Sequence, residues 1–376
     1  MKKAVCISCT HHYRERTGPV EAVLQAAGYT CTYITSDFHH ITKQHYKVED
    51  LPHCIQIPTV PYTKNISLNR IYSHIRFSRD VMRQVEKLQP DLLYVEIPPN
   101  SLCREAAKYK KRHPETRLIF DIFDMWPESF PNNRAKKLLK LPFSVWGWFR
   151  NCGLGKADLV LTECDLFRNT LQRYMHDTPA ETLYLCRSHA TCQELKAVPA
   201  DDGMHLCYLG SINNIIDIPT ICDLIGQVQK LQPVTLHIIG DGESRDALIS
   251  GVESTGAKVI FHGKIYDDAQ KQAIFDLCSF GLNIMKDSVY IGLTMKSLDY
   301  FAGGLPVLNT IGGDTWSLVE TDHIGININR DDLAATARKI VQTSPETLLA
   351  MRQATLQRFD GLFSQRVFRE RLTKYL

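Results

Sequence analysis

The feature that most narrows the fold is an alternation that runs through the chain and restarts once. In the first half, short apolar runs read KKAVCIS, YTCTYITS, DLLYVEIP, RLIFDIF, ADLVLTE and ETLYLC. Between them lie amphipathic patterns. The clearest spans Ser67 to Leu88, with Leu68, Ile71, Ile75, Met82, Val85 and Leu88 close to one stripe. A second covers Gly18 to Gly28 and ends on its glycine. Strands apolar on both faces suit a parallel sheet covered on both sides. From Ser188 to Gly203 the chain is polar and without period. The alternation then resumes with MHLCYLGS, VTLHIIGDG, KVIFHGKI, FGLNIM, LPVLNT and IGINI. The expectation is an α/β fold of two doubly wound, Rossmann-like sheets with a cleft between them. The boundaries are set at 1–190 for a first domain, 191–203 for a linker and 204–345 for a second domain. The helical segments within 346–376 are expected to pack back on the first domain. A length of 376 residues agrees with two cores rather than one.

Composition excludes several function classes. Hydrophobic residues make up 44% and charged residues 23% of the chain, the balance of a globular protein. A net charge of +3 gives no general affinity for nucleic acid, and none is expected as a partner. The start, MKKAVCISCTHHYRE, lacks the apolar length and small-residue site of a secretory leader, and no run reaches the ~20 apolar residues of a membrane span. The expected location is therefore cytoplasmic, with a peripheral membrane contact left open. The twelve cysteines are scattered singly in apolar runs, as buried thiols in a reducing compartment are. Cys6 and Cys9 form the one close pair. No second pair matches them, so no metal site is expected. Assembly with further copies of the chain is compatible with the sequence.

In open α/β sheets ligands gather at the carboxyl ends of strands. In the second half those ends read Gly210-Ser211, Gly240-Asp241-Gly242 and Gly263-Lys264. Glycine there lets a backbone approach a ligand, although a plain turn explains each one singly. A further such end is followed by Gly292-Leu293-Thr294-Met295-Lys296-Ser297-Leu298-Asp299, in which Thr294 reads as a helix N-cap. A helix start offers free N–H groups and a positive dipole end, and Lys296 would add a full charge for a phosphate. Asp299, almost one turn on, could accept hydrogen bonds from a ribose diol. The bland alternative is an i, i+3 ion pair on a solvated face.

The string from Gly292 to Val307, GLTMKSLDYFAGGLPV, resembles the donor-site signature of GT-B glycosyltransferases, close to family 4, whose usual form is G-x-x-x-K-x-x-E-x-x-A-x-G-x-P-V. Ile238-Ile239-Gly240-Asp241-Gly242 and Phe261-His262-Gly263-Lys264-Ile265 add weaker matches. Asp121-Ile122-Phe123-Asp124-Met125-Trp126-Pro127-Glu128-Ser129 is similar to a segment of bacterial polysaccharide members. The resemblance implies two Rossmann-like domains, the second holding a nucleotide-sugar donor and the first a glycan or lipid-linked acceptor. It implies a hexosyltransferase that retains configuration, in surface polysaccharide or glycoconjugate synthesis, with no cofactor and no metal. By the same resemblance Asp299 stands for the ribose glutamate, and Lys296 with the amides of Gly292, Leu293 and Thr294 holds the diphosphate. The backbone at Ile265 borders the base, and Gly18 opens a first-domain helix facing the phosphates. The chain departs from the pattern at Ile291, where a glutamate is usual, at Phe123, where a histidine is common, and at 210–214, which lacks an arginine–lysine pair. Arg14 and Arg16 would substitute for the missing cations; the other reading of both is a solvated loop.

The chemistry of such a transfer needs charge stabilisation on the leaving diphosphate and a group to orient the acceptor hydroxyl. Lys296 and Arg14 suit the first task. Asp124 suits the second, with Glu96 beside it, although a buried structural carboxylate is the plainer reading of Glu96. Glu128 reads as the start of a helix. No D-x-D motif ends a strand, in keeping with metal independence. Two other classes fit the same residues: a non-catalytic subunit supporting a partner transferase, and a nucleotide-sugar epimerase. Finally, Arg134 to Arg150, RAKKLLKLPFSVWGWFR, sets Arg134, Lys136, Lys137, Lys140 and Arg150 beside Phe143, Trp146, Trp148 and Phe149. The basic residues suit an anionic membrane surface, whereas the tryptophans read as core. Pro142 is expected to divide the segment into two helices.

Overall fold

The computed structural model describes residues 2–49, 51–130, 140–198 and 203–376. The chain divides into two compact units: Met1–Tyr184 with Phe368–Leu376 (unit 1), and Leu185–Val367 (unit 2).

Unit 1 carries the strands β1 Lys2–Ile7, β2 Tyr29–Ser36, β3 Phe38–His39, β4 Gln44–His45, β5 Cys54–Ile57, β6 Leu92–Ile97, β7 Arg117–Ile122, β8 Leu159–Thr162 and β9 Ala180–Thr182. Seven of them form a sheet in the order β5-β2-β1-β6-β7-β8-β9, every pair parallel. The chain builds outward from β1 in one direction and then, from β6, in the other, so the switch point lies between β1 and β6. Every residue of β6 and β8 is buried, as expected when helices cover both faces. β3 and β4 stand apart as an antiparallel hairpin in place of a crossover helix.

The Leu68–Leu88 helix forms as the periodicity dictates. Ser67 caps it by accepting from the Arg70 amide, and Gln89 closes it in a left-handed conformation. Its buried face is Ser73, Phe77, Ser78, Val81, Met82 and Val85, so the stripe read from sequence holds in the last turns and fails in the first, where Leu68 is 83% exposed. The first helix runs Arg14–Ala26, not from Gly18. Gly18 and Pro19 sit inside it, the proline early enough that few intrahelical bonds are lost.

Unit 2 carries β10 Met204–Leu209, β11 Val234–Ile239, β12 Lys258–Gly263, β13 Phe280–Asn283, β14 Val307–Asn309 and β15 Gly325–Asn327. They form a wholly parallel sheet in the order β12-β11-β10-β13-β14-β15, with the switch point between β10 and β13. Its core joins Leu206, Tyr208, Leu236, Ile238, Leu282 and Leu308 to the inward faces of the flanking helices. The Pro345–Arg358 helix lies in unit 2, where its buried Arg352 bonds the Cys278 carbonyl and Asp276. Only Phe368–Leu376, within the last helix Gln365–Tyr375, joins unit 1. There Arg117 donates to the carbonyls of Tyr375 and Leu376, and Tyr375 donates to Glu181 at 3.1 Å. Among the described residues, no helix is long and apolar enough to cross a membrane.

Candidate functional site

The carboxyl ends of the unit 2 strands converge on the start of the Met295–Ala302 helix. Thr294, in extended conformation, caps it by accepting from the Ser297 amide at 3.2 Å. The same hydroxyl donates to Asn283 Oδ1 at 3.1 Å. From there a line of asparagines crosses the sheet. Asn283, Asn309 and Asn327 end β13, β14 and β15 and stand in register. Asn283 donates to Asn309 and Asn309 to Asn327, each at 2.9 Å, and Asn327 donates to the Trp316 carbonyl at 3.0 Å. Asn283 and Asn309 are fully buried. The helix start is thus fixed to three strands by side-chain amides that satisfy one another. Sequence reasoning missed this line, although its signal was present: an asparagine at the end of each of three successive strands.

Lys296 stands in the first turn of that helix and is 8% exposed. Its Nζ has no hydrogen-bond partner and lies 4.3 Å from the centre of the Tyr208 ring. Burial without a counter-charge lowers its pKa to about 7. Gly210 lies beside the Lys296 stem, where a β-carbon would make ordinary contact with Cε at 3.9 Å; what requires a glycine there is its φ of 109°. A buried ammonium facing only a ring, at a helix N-terminus, is an arrangement completed by an anion.

The structure assigns the strand-end glycines a different job from the one expected. A β-carbon on Gly240 would lie 2.0 Å from the Gly210 carbonyl oxygen, and one on Gly242 would lie 2.3 Å from that of Ile212. The close neighbour these glycines accommodate is therefore the protein's own 210–212 backbone. Gly292 is buried, and its carbonyl accepts from the Thr315 amide and hydroxyl at 2.9 and 2.7 Å, while Leu293 beside it is 2% exposed. Ile265 lies half-buried in the loop after β12. Asp299 does not pair with Lys296, which excludes the i, i+3 ion pair. Its partner is Arg187 at 2.8 Å, a residue the sequence reading passed over. Unit 2 thus brings together Gly210, Lys296, Thr294 and the 292–293 backbone.

In unit 1, Asp124 follows β7 and accepts from Ser129 at 2.8 Å, while burial pushes its carboxyl pKa up. Arg14 and Arg16 are not on a solvated loop; both lie on the first helix. Arg14 forms a two-pronged pair with Glu21 at 2.9 Å over the Tyr33 ring. Arg16 is buried against Asp121, its Nε and Nη2 at 2.6 and 2.5 Å, and Tyr94 donates to the same carboxylate. These two cations are consumed by internal partners. Glu96 is fully buried; neither carboxyl oxygen has a hydrogen-bond partner, and burial, with the Asp121 charge adding to it, pushes its pKa up to about 8. Glu128 starts no helix but grips buried Arg150 at 2.7 Å.

Of the basic aromatic segment, Arg134, Lys136 and Lys137 lie outside the described residues. The described helix Lys140–Leu154 is continuous and carries Pro142 near its start, and the expected helix preceding the proline falls on residues outside the described ones. Trp146 packs on His74, whereas Trp148 is 50% exposed, so the two tryptophans do not share one environment.

Residues 203–344 match the family Glycosyl transferases group 1. No curated protein sequence matches the chain. Among solved structures it is similar to sucrose-phosphate synthase from Thermosynechococcus elongatus, at 14% identity and a TM-score of 0.73, covering 100% of this chain and 98% of that one. It is similar to Anabaena HepE in complex with UDP at 12% identity and 0.66, covering 100% and 99%. The lipopolysaccharide outer core galactosyltransferase WaaB shares 14% identity at 0.64, with full coverage of both chains. At these identities the likeness is one of fold.

Proposed function

We propose that this chain, which has the GT-B fold and over residues 203–344 belongs with the group 1 glycosyl transferases, moves a sugar from a nucleotide-sugar to a glycan or lipid-linked acceptor. The observation that carries the reading is Lys296: buried, unpaired and set at the Thr294-capped helix start. A diphosphate there would meet one full charge and the free N–H groups of the first turn, which stabilise the charge that develops as the sugar–phosphate bond breaks. HepE, of the same fold, is described in complex with UDP, and a uridine or related nucleoside diphosphate is the ligand we assign to this site. Asp299, held by Arg187, is positioned for the ribose. Retention of configuration, independence of added metal and a role in bacterial surface glycans belong to the same proposal. So does a peripheral membrane contact through the Lys140–Leu154 helix.

Binding of UDP tests the reading. Lys296→Met should weaken it by roughly 1.5–3 kcal/mol, the scale of a charge-assisted hydrogen bond. Because the free lysine titrates near 7 and a bound diphosphate raises its pKa, calorimetry in buffers of different ionisation heat should detect proton uptake on binding at pH 8 and almost none at pH 6. UDP affinity equal in the two proteins would remove Lys296 from the site.

A further inference from the structure

The hairpin that replaces a crossover helix in unit 1 delivers a cation to a place that already holds one. The turn between β3 and β4 is pinned by the Lys43 amide on the His39 carbonyl at 2.8 Å, and by the Thr42 amide and hydroxyl on His39 Nδ1 at 2.9 and 2.8 Å. Lys43 closes it at φ 60°, a region that residues with a β-carbon seldom occupy. Its Nζ lies 4.6 Å from the centre of the Tyr62 ring and donates to the His40 carbonyl and to Asn65 Oδ1. Arg70, in the first turn of the Leu68–Leu88 helix, lies 5.8 Å from the same ring and 5.3 Å from that of Trp126. Arg70 donates to the Asn65 carbonyl at 2.9 Å, and its Nε is buried with no partner. Among the described residues neither cation is paired with a carboxylate.

The surroundings carry the mark of that unbalanced charge. Burial lowers the pKa of His40 to about 4, with Arg70, His39, Lys43 and His12 each adding to the effect. Burial likewise holds His74 well below the usual histidine range, again helped by Arg70, His40 and Lys43, and its Nδ1 is buried without a partner. Lys43 itself is lowered by burial and by Arg70. Two cations therefore lie near one ring, with His40 and His74 held neutral in their field, and the charge of Arg70 is felt at Asp124, the proposed acceptor-orienting carboxylate.

We propose that Lys43 and Arg70 form an anion site in unit 1 that takes the phosphoryl group of a phosphorylated acceptor, holding it beside Asp124 and Trp126. A phosphate can accept from the arginine fork and the ammonium together, and it supplies the negative charge this cluster lacks. The inference rests on the reading of unit 1 as the acceptor side, and the experiment lets the two fail separately. The probe is glucose 1-phosphate, with methyl glucoside as its neutral counterpart, titrated into the full-length Lys296→Met variant so that the unit 2 anion site is silent. Glucose 1-phosphate should bind at least tenfold more tightly than methyl glucoside. Adding Lys43→Asn, which tolerates the left-handed backbone, or Arg70→Gln should abolish that preference. A second arm compares vesicles containing phosphatidic acid with vesicles containing phosphatidylglycerol at equal charge. A preference for the phosphomonoester that disappears with Lys43→Asn would place the phosphate on a lipid rather than on a soluble sugar. Absence of a phosphate preference in both arms, or a preference that survives Lys43→Asn and Arg70→Gln, overturns the proposal. UDP binding by the single Lys43→Asn variant should equal that of the wild type; a wild type that binds no UDP would count against the donor reading alone.

Discussion

The two units treat polar groups at their strand ends in opposite ways. In unit 2 the asparagine line, Thr294 and Ser297 satisfy one another. The buried side-chain atoms left unmet among the described residues are one nitrogen each on Arg330 and Arg352, which bond through their other nitrogens, and Lys296 Nζ. In unit 1 the strands themselves leave Tyr33 OH, Thr35 Oγ1 and both oxygens of Glu96 unmet. A region with one vacancy specifies one ligand group at one place. A region with several is completed by water or by a ligand of variable shape.

The largest test is titration of one buried group from each unit, Glu96 and His237, because their shifts act with opposite sign. Glu96 has a folded pKa of about 8 against an ordinary 4.5, so the folded state holds more protons than the unfolded one between those values. Its contribution is full below pH 4.5 and is lost as pH rises through 8, on the order of a few kcal/mol. Glu96→Gln should flatten that limb and leave the variant more stable than the wild type at pH 9 in urea unfolding. In unit 2, His237 is hydrogen-bonded between His205 (2.8 Å) and His262 (3.0 Å), and burial lowers its pKa to about 4. Its contribution is present above pH 6.5 and is lost as pH falls towards 4. Lys296, lowered to about 7, adds a contribution that rises with pH above 7, so the readout is the difference between the wild type and Glu96→Gln. A wild-type stability that does not fall relative to Glu96→Gln between pH 4.5 and 8 would break the comparison on the unit 1 side.

Next in size is Asn309→Ala. It leaves the amide of Asn283 and the carbonyl oxygen of Asn327 without their partners in a buried row, at about 1–3 kcal/mol for each unmet group. A loss of roughly 2–4 kcal/mol, together with weaker UDP binding because the Thr294 cap loosens, is expected by chemical denaturation and calorimetry. A loss under about 1 kcal/mol would mean that unit 2 is no more tightly specified than unit 1.

What could be read from sequence follows the range of the interaction. Periodicity reports a helix or a buried strand because neighbours three or two residues apart share a face, and so the Leu68–Leu88 helix, the Thr294 cap and the principal strands of both sheets were legible. The β3–β4 hairpin has two-residue strands and no period to detect. Arg16 meets Asp121 across 105 positions, so no local pattern ties them, and Arg187 reaches Asp299 across 112. Lys296 was legible as a candidate because its motif is contiguous. That its ammonium faces a ring rather than a carboxylate is a property of Tyr208, more than eighty residues earlier. The glycines at 240 and 242 were legible as special, but not the reason, which is a backbone from another loop.

The smallest expected effect concerns a surface of unit 1. On the Lys140–Leu154 helix, Leu141, Val145 and Trp148 fall at i, i+4 and i+7 and are 77%, 49% and 50% exposed. An apolar stripe facing solvent on a helix is what an interfacial membrane helix presents. From Ser129 to Ala157 the sequence contains no aspartate or glutamate, while Arg134, Lys136, Lys137, Lys140, Arg150 and Lys156 are all basic. Arg150 is buried on Glu128, whereas among the described residues Lys140 and Lys156 are exposed, where an anionic headgroup layer could meet them. The protein should float with phosphatidylglycerol vesicles more than with phosphatidylcholine vesicles, and less as salt rises. Lys140→Glu, a change of two charges, should weaken that binding by about 2 kcal/mol, roughly thirtyfold, through charge alone. Leu141→Ser with Trp148→Ser should weaken binding to both vesicle types by removing inserted apolar area. Those two effects are separable: a surface that only attracts charge would lose binding with Lys140→Glu and keep it with the serine pair. Equal, negligible flotation with both vesicle types would return Leu141, Val145 and Trp148 to the class of ordinary exposed side chains, and the acceptor would then have to reach unit 1 from solution.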